Sequence, residues 1–134
     1  MKIELHDDNT ATLLQNYMRY SSTIGDTIFI EEGFEFDGAS IPKAFWSLIG
    51  SPFNGKYKYS ALIHDALYAS EIVERHIADK VFLDLMEKDG VAWWKRTAMY
   101  NAVRVGGYFV WKNHIPETVA DARNYVRIVW WNIY

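Results

Sequence analysis

One predicted helix carries an adjacent histidine and aspartate, two residue types that often move protons in enzymes. The spacing of its apolar residues predicts a helix over 58–70. A second face of that helix carries Ala61, His64, Asp65 and Tyr68 at positions i, i+3, i+4 and i+7. Because successive helical residues point about 100° apart, His64 and Asp65 cannot hydrogen-bond each other well. They can serve two neighbouring subsites instead, with His64 as a general base.

A second carboxylate is expected to face His64. Asp79 lies in the next predicted helix, over 74–88, on a face that is otherwise apolar. The short connection makes the two helices antiparallel and brings His64 and Asp79 to comparable depth. A carboxylate at that depth would orient the imidazole. A charged aspartate in a core is costly when unpaired, so His64, Arg75 or Arg104 is expected to satisfy Asp79.

The same residues are also compatible with a purely structural role. A single histidine on a helix is more typical of a packed side chain, and Tyr68 is more typical of a core residue. A site is favoured by the combination of this helix with Asp79 and with the upstream segment Asp37-Gly38-Ala39-Ser40. Arg104 is expected to satisfy a buried carboxylate, either Asp65 or Asp79, or to lie at the surface.

The elements that hold these residues change in kind near residue 40. Short segments bounded by turn residues predict strands over 11–20 and 27–31, with a weaker one over 1–5. The later pattern predicts a short helix from Ser40 to Gly50, helices over 58–70, 74–88 and 92–105 (or to 112), one or two helical turns over 118–124, and a closing strand Tyr125–Tyr134. Gly106-Gly107 predicts a break or a close-packing point. The expected fold class is α+β: a small N-terminal antiparallel β-sheet, an antiparallel helical hairpin and a third helix.

Composition excludes several chemistries. The chain has 134 residues and no cysteine, which excludes disulfides, a thiol nucleophile, a thiolate zinc site and an iron–sulfur centre. Half of the residues are hydrophobic and 16% are aromatic, enough for a sizeable core in a single domain over 1–134. A net charge of −3 argues against nucleic acid as a partner. The four histidines show no tight ligand spacing, so no zinc or iron site is expected.

Further expectations concern location and partners. No stretch reaches the ~18 consecutive apolar residues of a transmembrane segment, and the N-terminus lacks the apolar core of a signal peptide. The segment Tyr125–Tyr134 is apolar on both faces because Trp130-Trp131 breaks its alternation. Such a segment is expected to dock in the domain or against another subunit. Trp93-Trp94 is compatible with a docking patch for a partner or a membrane surface, and with core packing.

Several motifs together resemble one family. They are Gly33-Phe34-Glu35-Phe36-Asp37-Gly38-Ala39-Ser40-Ile41-Pro42, Phe45-Trp46, Gly55-Lys56-Tyr57, His64-Asp65-x-Leu67-Tyr68, Ala78-Asp79-x-x-Phe82, Met86 and Met99-Tyr100-x-Ala102-Val103-Arg104-x-Gly106-Gly107. This set, over roughly residues 27–108, closely resembles the domain-of-unknown-function 1353 family, small proteins found largely in bacteriophages and prophages. The resemblance implies a phage-encoded accessory or structural protein, of the virion or tail, located in the particle or the host cytoplasm. The implied partners are other phage structural proteins, or a second copy through Tyr125–Tyr134.

A second, more distant resemblance implies an activity. Bacterial and fungal secreted phospholipase A₂ enzymes show Asp-Gly-x-Ser, then His-Asp-x-x-Tyr on one helix and Asp-x-x-Phe on the antiparallel helix. The matching segments here are Asp37–Ser40, His64–Tyr68 and Asp79–Phe82. The resemblance implies a catalytic group of His64, which activates a water, Asp79, which orients it, and Tyr68. Asp37 and Asp65, beside the backbone of Gly38, would hold a Ca²⁺ ion that polarises the carbonyl of a phospholipid or other carboxylic ester. Those enzymes rely on disulfides, which this chain lacks, so a retained hairpin without activity is the alternative.

Overall fold

Short strands come first along the chain, and the helices follow them. The computed structural model describes residues 2–38, 40–46, 53 and 55–129. Within these residues the chain forms β1 (Ile3–Leu5), β2 (Ala11–Leu13), β3 (Tyr17–Ser21), β4 (Asp26–Ile30), β5 (Glu35–Phe36), a 3₁₀ turn (Lys43–Phe45), α1 (Lys58–Ser70), α2 (Arg75–Lys88), α3 (Trp93–Lys112), α4 (Pro116–Ala122) and β6 (Val126–Val129). The predicted α+β class is confirmed.

The strands form two antiparallel sheets of three strands each. One has the order β1-β2-β5 and the other the order β3-β4-β6. In the second sheet β4 is central, and its Ile28 pairs with Arg19 on β3 and Ile128 on β6. Burial alternates along β4, because one face of the sheet packs on the core. The predicted closing strand is confirmed as the edge strand β6, and residues 130–134 of that prediction lie outside the described residues.

The single strand predicted over 11–20 is wrong. That segment contains β2 and β3, which belong to different sheets. The chain bends between them, where Leu14 is 45% exposed and the Asn16 side-chain oxygen accepts the Glu32 amide at 2.8 Å. Leu14 is apolar and continues the pattern of the segment, so the pattern predicts one strand through the bend. The alternation of apolar and polar residues in this segment is imperfect.

The helices follow the predicted spacing closely. α1 has the predicted bounds, α2 begins one residue later than predicted, and α4 begins earlier, at Pro116. A break at Gly106-Gly107 is wrong, because α3 runs through both glycines to Lys112. The close-packing alternative is confirmed. A Cβ on Gly106 would lie 2.6 Å from Pro42 Cγ, and one on Gly107 would overlap the Tyr68 hydroxyl.

The short helix predicted from Ser40 to Gly50 is only partly described. Its described part holds the 3₁₀ turn, preceded by Pro42 in an extended conformation (ψ 131°). The Trp46 indole nitrogen donates to the Ile41 carbonyl at 3.2 Å. This hydrogen bond joins the residue after the turn to the segment before it. Leu48, Ile49 and Gly50 lie outside the described residues.

α1 lies at the centre of the core. Ten of its 13 residues are buried, and Leu62, Ile63, Ala66 and Leu67 have no exposed area. It packs on both sheets, on α2 and on α4. This central position takes the polar residues of α1 out of water as well. Among the described helices none is long and apolar enough to cross a membrane.

Candidate functional site

The α1–α2 hairpin sets the register of the site. Glu71 ends α1 in the left-handed conformation (φ 49°), and four residues later α2 begins at Arg75. Near the connection, Arg75 Nη1 lies 3.5 Å from the Tyr68 hydroxyl. One turn further away, His64 faces Asp79. This pairing is antiparallel and places His64 and Asp79 at equal depth, as the spacing of the two helices predicts.

His64 is completely buried and both of its ring nitrogens are engaged. Nε2 lies 2.8 Å from Asp79 Oδ1, and Nδ1 lies 2.9 Å from Ser40 Oγ. The ring is also packed against Tyr68 and Phe82, with centroids 4.3 and 4.6 Å away. Burial lowers the pKa of His64, and the hydrogen bond with Asp79 opposes that effect without cancelling it. The residue is therefore a neutral imidazole near neutral pH.

Asp79 is an ionised carboxylate held by four side chains. Besides His64, its Oδ1 accepts the Tyr68 hydroxyl at 2.7 Å, and its Oδ2 accepts Arg104 Nη1 at 2.7 Å and Arg75 Nη1 at 3.4 Å. Burial alone would raise the pKa of Asp79, but the hydrogen bonds from His64, Tyr68 and Arg104 outweigh it, so the pKa lies below its ordinary value. All three partners expected for Asp79 are confirmed, and of the two carboxylates expected for Arg104 it takes Asp79.

Arg75 also ties the hairpin to α3. Its Nη1 donates to the carbonyls of Val103 and Arg104 at 3.1 and 3.2 Å while it faces Asp79. Because Arg104 is itself on α3, the Asp79 carboxylate is the point where α1, α2 and α3 are joined by polar contacts. Those contacts hold the imidazole in one orientation.

Asp65 occupies the neighbouring subsite expected for it. It is 7% exposed, its Oδ2 accepts the Gly38 amide at 2.7 Å, and its Oδ1 accepts the Ser40 hydroxyl. Burial raises the pKa of Asp65 to about 7, and the negative charge of Asp37 adds to the rise, while the hydrogen bonds from Ser40 and Gly38 oppose it. Asp65 therefore titrates near neutrality, unlike Asp79.

Ser40 connects the two subsites. Its hydroxyl lies between His64 Nδ1 and Asp65 Oδ1, so that Asp79, His64, Ser40 and Asp65 form a continuous chain of hydrogen bonds, called the relay below. Gly38 makes this possible because its φ of 70° turns its amide toward Asp65. The sequence pointed to Ser40 through its motif, but not to its contacts with both subsites.

A cavity of about 220 Å³ borders one end of the relay. Its described lining comprises Phe34, Glu35, Phe36, Asp37, Ser40, Asp65, Tyr68, Ala69, Val110 and His114. Ser40 and Asp65 therefore face the cavity, whereas His64 and Asp79 lie behind them. A second cavity of about 560 Å³ shares the Phe34–Asp37 segment with it.

His114 is a polar lining residue that the sequence did not indicate. It follows the C-terminal end of α3, and its Nδ1 is buried without a hydrogen-bond partner, 3.6 Å from Glu71 Oε2. No motif surrounds it. Its ring packs against Trp111, with the ring centroids 5.7 Å apart, and its amide donates to the Trp111 carbonyl at 3.2 Å.

A calcium ion held by Asp37, Asp65 and Gly38 fits these residues poorly. Ca²⁺ takes six to eight oxygen ligands in proteins. Here both oxygens of Asp65 accept hydrogen bonds, and the Gly38 carbonyl accepts the Ile41 amide at 3.0 Å. Among the described residues no group of three or more histidines and carboxylates could hold a metal ion.

The fold and the relay together define a class: an α+β protein with a histidine held between a buried ionised aspartate and a serine beside a cavity. Residues 12–103 match the family described as "Protein of unknown function (DUF1353)", and the chain belongs to that family. The expected membership is confirmed. The matched segment includes Ser40, His64 and Asp79 and ends at Val103, just before Arg104.

A curated relative extends well beyond this chain. The chain is similar to "Uncharacterized protein y4jT" of Sinorhizobium fredii (strain NBRC 101917 / NGR234), with 41% identity over 78 residues. That overlap is 58% of this chain and 23% of the relative, so the chain spans about a quarter of that protein's length. No solved structure matches the chain.

Proposed function

We propose that this chain is a hydrolase of carboxylic esters, phospholipids included, with His64 as the general base and Asp79 as the carboxylate that orients it. One observation carries the proposal. His64 lies between Asp79 at 2.8 Å and Ser40 at 2.9 Å, and Ser40 borders a cavity. The distant likeness of this hairpin to phospholipase A₂ supports the same reaction class.

The charge of Asp79 determines how His64 works. Because Asp79 is ionised, the neutral imidazole carries its proton on Nε2 and donates it to Asp79 Oδ1. The Nδ1 lone pair then points at Ser40 Oγ. A base in this state accepts a proton from an oxygen nucleophile on the Ser40 side, and Asp79 stabilises the imidazolium that results.

The pH dependence follows from the direction of the pKa shift. The active base is the neutral imidazole, which is present above the pKa of His64. Because burial lowers that pKa below 6.5, we expect the activity to persist into mildly acidic solution. The limb of the pH profile that reports His64 then lies on the acid side of pH 6.5.

The decisive measurement is ester hydrolysis by wild type and by His64→Gln. Substrates are p-nitrophenyl esters of two to eight carbons and phosphatidylglycerol vesicles. Glutamine can still donate to Asp79 but cannot take a proton, so we expect kcat/KM to fall at least 100-fold, on the order of a lost general base. His76→Gln on α2 makes the same substitution at a histidine whose side chain is 59% exposed, and we expect it to leave the rate unchanged.

Two arms with millimolar Ca²⁺ and with a chelator accompany these assays. A rate that depends on Ca²⁺ would support the ion implied by the phospholipase A₂ resemblance. Wild type that hydrolyses none of these esters above the buffer rate, in either arm, would disprove the proposed activity. Circular dichroism of His64→Gln confirms in parallel that the variant is folded.

A role as an accessory or structural protein of a phage particle is a second proposal, compatible with the first. It rests on the motif resemblance and on the apolar surface of α3, where Trp93, Val105, Tyr108 and Phe109 are 54–75% exposed. Exposed aromatic side chains in such number are typical of a docking surface. The edge strand β6 and the residues after it are the other place for a partner, a second copy included.

The test removes residues 130–134 alone, because Val126 is only 2% exposed and its strand pairs with β4. Light scattering of the full chain and of the shortened chain measures self-association. Incorporation into particles is measured in an infected host. If this segment docks the protein, the shortened chain stays folded and is lost from the assembly, whereas unchanged association and incorporation would contradict the idea.

A further inference from the structure

The geometry leaves His64 no room to activate a water molecule directly. Its two ring nitrogens are taken by Asp79 and Ser40, and its ring packs on Tyr68 and Phe82. It has no exposed area and is not among the described residues that line the cavity. A water at Nδ1 would have to displace Ser40.

Ser40 is also buried, at 3% exposed, but unlike His64 it lines the cavity. Its oxygen is 2.9 Å from Nδ1 and its residue lines the cavity, so it can meet both the base and a bound molecule. Its single hydroxyl proton can be donated to either of two acceptors, Asp65 Oδ1 or His64 Nδ1, and the reaction uses the orientation toward His64. Nucleophilic serines are typically found against a base that a third group orients.

We propose that Ser40 is the nucleophile of this site and forms an acyl-enzyme, an inference that rests on the hydrolase function proposed above. Ser40 Oγ attacks the carbonyl carbon of the ester, and its proton passes to His64 Nδ1. The bond from that carbon to the leaving oxygen breaks, and His64 returns the proton to the leaving alcohol. Acylation removes the Ser40 proton that faced His64 Nδ1, so a water can now take that place, give one proton to His64 and attack the acyl carbon. The acid is released, and Ser40 Oγ regains that proton from His64.

The cavity indicates the substrate class. Its volume of about 220 Å³ is small for a ligand pocket, and Phe34, Phe36 and Val110 give it apolar walls. Its described lining also holds Glu35, Asp37 and Asp65, and neither lysine nor arginine. A negatively charged group would be repelled there. The site therefore favours neutral esters with a short acyl chain over anionic phospholipids.

The test is covalent labelling together with burst kinetics. Wild type is treated with a fluorophosphonate probe, digested and mapped by mass spectrometry. We expect one adduct, on Ser40, and a burst of about one equivalent of p-nitrophenol from p-nitrophenyl butyrate. We expect Ser40→Ala to lose the adduct and to lower kcat/KM about 10³-fold.

A matched serine controls for effects of packing. Ser60 lies on α1, has no exposed area and donates to the Tyr57 carbonyl at 2.9 Å, outside the relay. Ser60→Ala is expected to label and turn over like wild type. Mapping on wild type does not depend on whether Ser40→Ala folds.

The outcomes separate the two proposals. Ester hydrolysis without an adduct on Ser40, or with its rate retained in Ser40→Ala, overturns the nucleophile and leaves the hydrolase proposal standing with His64 acting on water. An adduct on another serine overturns the nucleophile too. The absence of both hydrolysis and labelling overturns both proposals. Faster hydrolysis of phosphatidylglycerol than of p-nitrophenyl butyrate overturns the substrate class.

Discussion

Two buried aspartates, Asp65 on α1 and Asp79 on α2, lie at the two ends of the relay and behave in opposite ways. Both are at most 7% exposed, so both lose the hydration that favours the charged form. Asp79 nevertheless has a pKa below its ordinary value, whereas the pKa of Asp65 rises to about 7. Burial cannot account for the difference.

The difference lies in the number and charge of the partners. The pKa of Asp79 is lowered first by His64, then by the hydrogen bonds from Tyr68 and Arg104, and the Arg75 guanidinium also faces the carboxylate. The donors that Asp65 meets among the described residues are uncharged, and the carboxylate of Asp37 is near it. The molecule thus keeps a fixed negative charge behind the histidine and a titratable acid beside the cavity.

The strongest way to break this arrangement is Asp79→Ala. The substitution leaves Arg75, Arg104 and His64 without their shared acceptor in the interior. Breaking a buried pair in this way costs about 3–5 kcal/mol, so we expect the free energy of unfolding to fall by that amount in urea denaturation. Glu87→Ala, at an exposed position of the same helix, is the control and should change it by less than ~0.5 kcal/mol. An Asp79→Ala loss below ~1 kcal/mol would show that the guanidinium groups find other acceptors.

Asp65→Asn is expected to have the next largest effect. It changes how the free energy of unfolding depends on pH. Asp65 binds its proton more tightly when folded, because its pKa is about 7 against an ordinary 3.8. Its contribution to stability is therefore complete below pH ~4 and is lost as pH rises through 7, up to about 4 kcal/mol in all. Asparagine does not titrate, so the variant should gain stability relative to wild type over that interval.

The measurement is urea denaturation at pH 4, 6 and 8, with wild type subtracted from the variant at each pH. This subtraction removes the contributions of all other titrating groups. Asn101→Ala, at an exposed position of α3, removes no titratable group and should give a difference that does not change with pH. Parallel curves for wild type and Asp65→Asn would mean that Asp65 is ionised in the fold at little cost.

The pairing of His64 with Asp79 could be predicted because it depends only on helical spacing and a short connection. α1 fills its buried face with apolar side chains at regular intervals, so its bounds followed from the sequence. Asp79 interrupts an apolar face, which marked it as a residue in need of partners. Local patterns were sufficient for this half of the site.

The role of Ser40 and the split between β2 and β3 could not be predicted in the same way. Ser40 reaches the relay because the Gly38 amide bonds to Asp65, 27 residues further along the chain. The exposed Leu14 continues an apolar pattern although the chain bends there. Both features depend on tertiary contacts that no local periodicity records.

Substitutions at Tyr68 and Gly107 are expected to have smaller effects, and they test how tightly the Tyr68 hydroxyl is held against Asp79. Tyr68→Phe removes one of several donors to Asp79, so we expect a loss of about 1–2 kcal/mol. Gly107→Ala would gain helix propensity, but its Cβ overlaps the Tyr68 hydroxyl and forces the ring away, at a net cost of about 1–2 kcal/mol. In the double variant the Cβ meets only ring carbons, 3.1 Å away before any shift.

The variant with both Tyr68→Phe and Gly107→Ala should therefore be hardly less stable than Tyr68→Phe alone. In a double-mutant cycle this result corresponds to a coupling energy of about 1–2 kcal/mol between the two positions. Gly106→Ala is the matched control, because its Cβ meets Pro42 on the neighbouring turn and not Tyr68. Its effect should add to that of Tyr68→Phe. Additive losses for Gly107→Ala as well would show that the cost of this substitution does not arise at the Tyr68 hydroxyl.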